Sequence, residues 1–285
     1  MENTTIVKKE DILQSLCQLG VTNGDVLLVH SSLRSFGYVE GGVKTVAEAL
    51  LCAVGEDGTL CVPTLVQQDF QNAYKTWYLD KPSDVGALTE FVRKMPSAQR
   101  SNQATHSLAA VGKQAKEITK EHTEYGRREG VFGDTPFSHA SPWQKLYDLN
   151  AKVLFIGVDL RKLTLKHLLE YMIVEVALQA AGDKKEVTKR LKVFENRTAD
   201  DPTLVWPWVD GMRMERIGQA ENIIRYTDCG DAQLMIFGAA DLMHRTIKDI
   251  ANNPEVWFPE NIVNWLYAAF GDAAALKHVL LRLIP

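Results

Sequence analysis

Residues 27–42 read LLVHSSLRSFGYVEGG. Leu27, Leu28 and Val29 form an apolar run that His30 ends. Ser31, Ser32 and Leu33 follow, then a loop punctuated by Gly37, Val39, Gly41 and Gly42. The loop opens into VKTVAEALLCAVG (43–55), whose apolar positions recur at helical spacing. A buried strand passing through a short loop into a helix is the repeating unit of α/β folds. Ligands of open α/β sheets favour loops at the carboxyl ends of strands, and helix N-termini attract anions. Two readings of the stretch stand. The glycines let a ligand approach the backbone, or they supply unusual backbone angles while the serines cap a turn. The pattern is neither a P-loop nor GxGxxG.

The alternation continues outward. KKEDILQSLCQLG (8–20) has helical spacing, with Gly20 as its stop, and GTLCVPTL (58–65) reads as a second strand. Residues 85–95 read as a helix, and HSLAAVG (106–112) as a strand followed by a helix from Lys113. YGRREGVFGDTPFSHASPW (125–143) is a long Gly-, Pro- and Ser-rich loop, a kind that is often functional. KVLFIGVDL (152–160) is the clearest strand and leads into the helix TLKHLLEYMIVEVALQAAG (164–182). EVTKRLKVF (186–194) alternates like a half-exposed strand, and AQLMIFGAADLMHRTIKDIA (232–251) turns from strand to helix. The class is α/β with some antiparallel pairing. A single domain spanning residues 1–285 is expected, with residues 252–285 as a C-terminal helical extension.

The 285 residues are 46% apolar and 24% charged, with a net charge of −4, which suits one large globular domain, or one domain with a smaller lobe. No basic stripe is present, so no nucleic-acid partner is expected; the run KKEVTKRLK (184–192) reads as the wet side of a strand. No apolar run is long enough to span a membrane, and MENTTIVKKEDI is too polar for a signal peptide. Cys17, Cys52, Cys61 and Cys229 form no CxxC, so neither a zinc site nor any other metal is expected. A cytoplasmic protein with reduced thiols follows; its oligomeric state stays open.

Two further clusters carry chemistry. Thr105, His106 and Ser107 lie in the polar segment RSNQATHS (100–107), just before an apolar strand. Such density satisfies itself internally or holds a ligand. His167 and Glu170 stand at i and i+3 on one helix face. A carboxylate there can orient an imidazole to take a proton from a nucleophile, or form a surface ion pair.

Taken in order, VLLVHSSLRSFGYVEGG, DGTLCVPTL, THSLAAVGKQA, TPFSHASPWQKLYDLNAKVLFIGV and TLKHLLE resemble the aminoglycoside 3-N-acetyltransferase family over roughly residues 8–250. The resemblance implies a three-layer α/β/α fold with a mixed sheet and an N-acetyltransferase that draws on acetyl-CoA to modify a small amine. It implies contacts to coenzyme A from Ser31, Ser32, Leu33, Gly37, Val39, Gly41 and Gly42, and brings Thr105, His106 and Ser107 near the thioester. It makes His167 the general base, with Glu170 beside it. An oxyanion would be met by donors near Ser107 or the Ser31–Ser32 loop. Where the family has His-Pro ahead of the THS triplet this chain has Gln103 and Ala104, and Leu163 stands where an Asn is common. These changes are expected on the acceptor side and favour an amino sugar or other small amine over a typical aminoglycoside. Candidate carboxylates for a polycation are Asp69, Asp80, Asp84 and Asp159.

Overall fold

The computed structural model describes residues 5–68, 72–182 and 206–285. Its strands are β1 (Ile6–Val7), β2 (Val26–Ser31), β3 (Tyr38–Val39), β4 (Thr59–Pro63), β5 (Gln99–Arg100), β6 (Leu108–Gly112), β7 (Lys152–Ile156), β8 (Arg225–Cys229) and β9 (Ala232–Gly238). Its helices run from α1 (Lys9–Gln18), α2 (Gly42–Val54), α3 (Ala73–Thr76), α4 (Ala87–Arg93), α5 (Ala115–Thr119) and α6 (Pro142–Asp148) to α7 (Leu165–Ala181). They continue with α8 (Gly211–Ala220), α9 (Ala239–Asn252), α10 (Pro254–Trp257), α11 (Glu260–Phe270) and α12 (Ala273–Leu281). The expected strand at 186–194, the basic run at 184–192 and Asp69 lie outside the described residues.

Seven strands form one sheet in the order β5-β6-β4-β2-β7-β9-β8. Strand β2 lies at its centre and pairs in parallel with β4 and β7, while both flanks turn antiparallel. The sheet is therefore mixed. Its two faces follow from the two-residue period of strands. Val26 and Leu28 of β2 face one apolar cluster, and Leu27 and Val29 face the other. Residues of α1, α2 and α4 cover the second face, and those of α5, α6, α7 and α9 cover the first. This is a three-layer α/β/α sandwich.

The C-terminal helices join the first layer. Trp257, Ile262, Trp265, Leu266, Leu276 and Leu280 are buried in the same cluster as α7. Helix α7 is buried on nearly every side, from Leu168 through Val174, which explains its apolar composition all round. Being sandwiched between sheet and C-terminal helices fixes its axis, and with it the direction of every side chain in its first turns.

Candidate active site

The carboxyl ends of the parallel strands β2, β4 and β7 open into a cleft with two chambers. The larger, of about 540 Å³, is lined by His30 and Ser31 at the end of β2, by Ser32, Leu33 and Arg34 after it, by Pro63 and Leu65 at the end of β4, and by Asp84–Ala87 at the start of α4. The smaller, of about 300 Å³, is lined by Leu65, Gln67, His106, Phe132, Arg161, Lys162, Leu163, Thr164 and His167. Leu65, Gln67, Lys162 and Thr164 belong to both, so the chambers meet there.

His167 sits in the first turns of α7, with its side chain 18% exposed. Its Nδ1–H donates to Oε2 of Glu170 at 2.8 Å. Glu170 is fully buried and accepts two further bonds, from Trp206 Nε1–H to Oε2 and from the Val209 N–H to Oε1, each at 2.9 Å. Three N–H donors thus converge on one carboxylate. This locks the imidazole in one orientation and leaves Nε2 as its free basic nitrogen. Phe132 and Trp208 set their rings edge-on to His167 at 5.0 and 6.0 Å between centroids.

His106 forms another wall, with its ring centroid 6.0 Å from that of His167. Burial first, and the neighbouring His167 and His122 rings second, hold it well below the ordinary histidine range, so it is neutral. His30 is likewise pushed down to about 3 by burial. It stacks on Phe155 at 4.7 Å, and its Nε2 meets no hydrogen-bond partner among the described residues.

The structure brings together His167, Glu170 and His106 at the smaller chamber, and Ser31, Ser32 and Leu33 at the larger. The hydroxyls of Ser31 and Ser32 bond to no other described residue and line the cleft. The remaining sequence candidates lie elsewhere. Thr105 and Ser107 are fully buried and line neither chamber. Ser107 Oγ bonds to Thr64 and accepts from Arg100 Nε–H at 3.2 Å, and Thr105 is held by Gln103. Gly37, Val39, Gly41 and Gly42 are also outside both linings. Gly41 and Gly42 carry φ of +76° and +64°, angles that glycine adopts readily.

Gln103 and Ala104, expected on the acceptor side, are both buried and line neither chamber. Gln103 Oε1 accepts from the N–H groups of Thr105 and His106 at 2.8 and 2.6 Å, so it braces the turn that presents His106. Leu163 does line the smaller chamber. Sequence reading missed Phe132, Trp208, Gln67 and Lys162. Phe132 lay inside the loop singled out for its length, while a lone lysine or glutamine gives no pattern to find. Among the described residues no cluster of metal-ligating side chains exists, and no helix is long and apolar enough to cross a membrane.

With this geometry in view, the comparisons with known proteins assign the chain to the acyl-transferring enzymes, as an N-acetyltransferase. It belongs to the aminoglycoside 3-N-acetyltransferase family, whose model matches residues 28–250. The SPbeta prophage-derived aminoglycoside N(3')-acetyltransferase-like protein YokD of Bacillus subtilis is 28% identical, over 89% of this chain and 96% of its own length. The aminoglycoside N(3)-acetyltransferase III of Salmonella sp is 34% identical, over 56% of this chain and 58% of its own length, so that alignment spans little more than half of either protein. Among solved structures, apo aminoglycoside acetyltransferase AAC(3)-IVa has the same fold at TM-score 0.68 and 24% identity, covering 94% of this chain and 98% of that one. AAC-IIIb, solved as a binary complex with CoASH, has it at TM-score 0.67 and 20% identity, covering 87% and 98%.

Proposed function

We propose that this protein transfers the acetyl group of acetyl-CoA directly to a primary amine of a small polar molecule, an aminoglycoside or an amino sugar, with His167 as general base. The observation that carries the reading is a carboxylate-locked histidine, with its Nε2 unused, lining a chamber that joins a larger one. The larger chamber suits the pantetheine arm: the unpartnered Ser31 and Ser32 hydroxyls can meet its amides, Leu33 offers apolar contact, and Arg34 brings a cation to its rim. The CoASH complex of the structurally similar AAC-IIIb supports the same donor. A cytoplasmic setting, where free thiols persist, fits the four free cysteines.

Both substrates are then present at once. His167 Nε2 takes a proton from the amine as its nitrogen forms a bond to the thioester carbonyl carbon. The carbon–sulfur bond breaks, its electron pair leaves on sulfur, and the proton passes from His167 to the thiolate. Glu170 stabilises the imidazolium formed in between. With Ser107 committed to Thr64 and Arg100, the Ser31–Ser32 loop is the better source of oxyanion donors. Thr105 and Ser107 serve by holding the His106 segment in place.

The test is a thiol-release screen of acetyl-CoA against a broad amine panel, with His167→Ala as control. Turnover of the variant falls on the order of 10²–10⁴-fold while acetyl-CoA affinity is retained. Wild-type turnover by a folded variant removes His167 as the base. Acetyl-CoA binding without thiol release for any amine makes the protein a binding module.

A further inference from the structure

We propose that the acceptor amine also carries an anionic group, such as a phosphate or carboxylate, and that Lys162 pairs with it where the two chambers meet. The inference rests on the acetyl-transfer reading above and narrows its substrate class. A polycationic acceptor needs carboxylates facing its ammonium groups. Among the described residues the smaller chamber has no carboxylate in its lining, and it has two cationic side chains, Arg161 and Lys162.

The nearby acids are spent elsewhere. Glu170 is sealed behind His167 by its three donors. Asp159 holds the Arg161 guanidinium through three side-chain contacts of 2.6–3.0 Å. Asp84 accepts from the N–H groups of Gln67 and Gln68, each at 2.8 Å. Arg161 is thereby paired, whereas Lys162, whose charge reaches Asp159 only at longer range, forms no ion pair with a described residue and lines both chambers.

A second source of positive potential converges on the same spot. Helix α7 is 17 residues long, starts after Thr164 and has no side-chain cap. Its N-terminus carries the positive end of the helix dipole. Thr164 is only 5% exposed, lines both chambers, and its hydroxyl bonds to no described residue. A fixed charge, an uncapped helix start and an idle buried hydroxyl together suit one anion. The same field disfavours an ammonium beside His167, and so promotes the neutral amine that attacks.

The experiment compares kcat/KM for glucosamine, glucosamine 6-phosphate, apramycin and sisomicin, using wild type, Lys162→Met and Lys162→Glu, with the KM of acetyl-CoA recorded for each. Glucosamine 6-phosphate is expected to exceed glucosamine by roughly tenfold or more, since a charge-assisted pair contributes about that factor. Lys162→Met brings the ratio toward one and Lys162→Glu inverts it. The proposal is overturned if the wild-type ratio is one or below, or if an aminoglycoside outperforms both sugars. It is equally overturned if the variants raise the KM of acetyl-CoA and leave the ratio intact, which assigns Lys162 to the donor. Thiol release with the wrong preference removes this proposal alone. Absence of thiol release from every amine removes the acetyl-transfer reading with it.

Discussion

Glu170 shows how one buried residue couples stability to chemistry. Its two oxygens serve three N–H donors, from His167, Trp206 and Val209, at 2.8–2.9 Å. An amide in its place offers one acceptor oxygen and an NH₂ group that must face a donor. Glu170→Gln therefore leaves at least one buried N–H unsatisfied, at a cost of about 1–3 kcal/mol. If the NH₂ turns to His167 it donates to Nδ1, and the proton of the imidazole moves to Nε2, where none can then be accepted. The expected result is a modest fall in unfolding free energy with a loss of kcat on the order of 10²–10⁴. Parallel urea titration and steady-state kinetics check it; a stable variant with wild-type kcat would falsify the orienting role. Gln103 is the second such residue. Gln103→Leu strips the N–H groups of Thr105 and His106 of their shared acceptor. It should cost about 1–3 kcal/mol per unpaired group in a thermal or urea unfolding series.

At the scale of elements, the long apolar or periodic segments were legible: β2, β4, β6, β7 and β9, and the helices α1, α2, α4, α7 and α9, appear where the residue periods put them. The short pieces were not. Strands β1, β3 and β5 have two residues each and exist only through pairing, β1 with β3 across about thirty residues and β5 with the strand that follows it. Strand β8, RYTDC, lies at the sheet edge with only Cys229 buried, so it lacks an alternating apolar face. Of the site, the His167–Glu170 pair followed from helical spacing, while the donors from Trp206 and Val209 depend on a tertiary return of the chain. The glycine pair before α2 is the instructive case. Both readings fitted the sequence, and the backbone adds the positive φ at each glycine. A Cβ on Gly41 would collide with Thr45 Oγ1, whereas one on Gly42 meets nothing within 4 Å. Gly42→Ala should thus cost only the left-handed strain, about 1–2 kcal/mol, and Gly41→Ala more. Differential scanning calorimetry ranks them; equal losses, or none, would mean that the helix start shifts to relieve both.

For the molecule as a whole, the same burial that builds the site makes the fold sensitive to acid. His30 and His122 are pushed down to about 3 and His106 lies well below its ordinary range, in each case chiefly through burial. His122 is pinned as the neutral ring, its Nε2 donating to the Pro136 carbonyl at 2.9 Å and its Nδ1 accepting from the Ser101 hydroxyl at 2.9 Å. In the unfolded chain all three titrate near the ordinary value of about 6.5. Below that pH the unfolded state binds protons that the native state refuses, so their stabilising effect is complete above about 6.5 and is lost as pH falls toward 3. Each histidine contributes a slope of up to about 1.4 kcal/mol per pH unit, or roughly 4 kcal/mol for three, against a total stability of order 5–15 kcal/mol. Glu175 and Asp159, held low by hydrogen-bonded partners, add a loss in the same direction at lower pH. Urea unfolding at pH 7, 5.5 and 4.5 should therefore report a steep fall, with unfolding taking up close to three protons from this source. His122→Gln, able to keep one donor and one acceptor, should remove about one of them and flatten the slope by a third. Stability that stays level down to pH 4.5, or a slope that His122→Gln leaves unchanged, would mean that these rings gain water and charge within the native state.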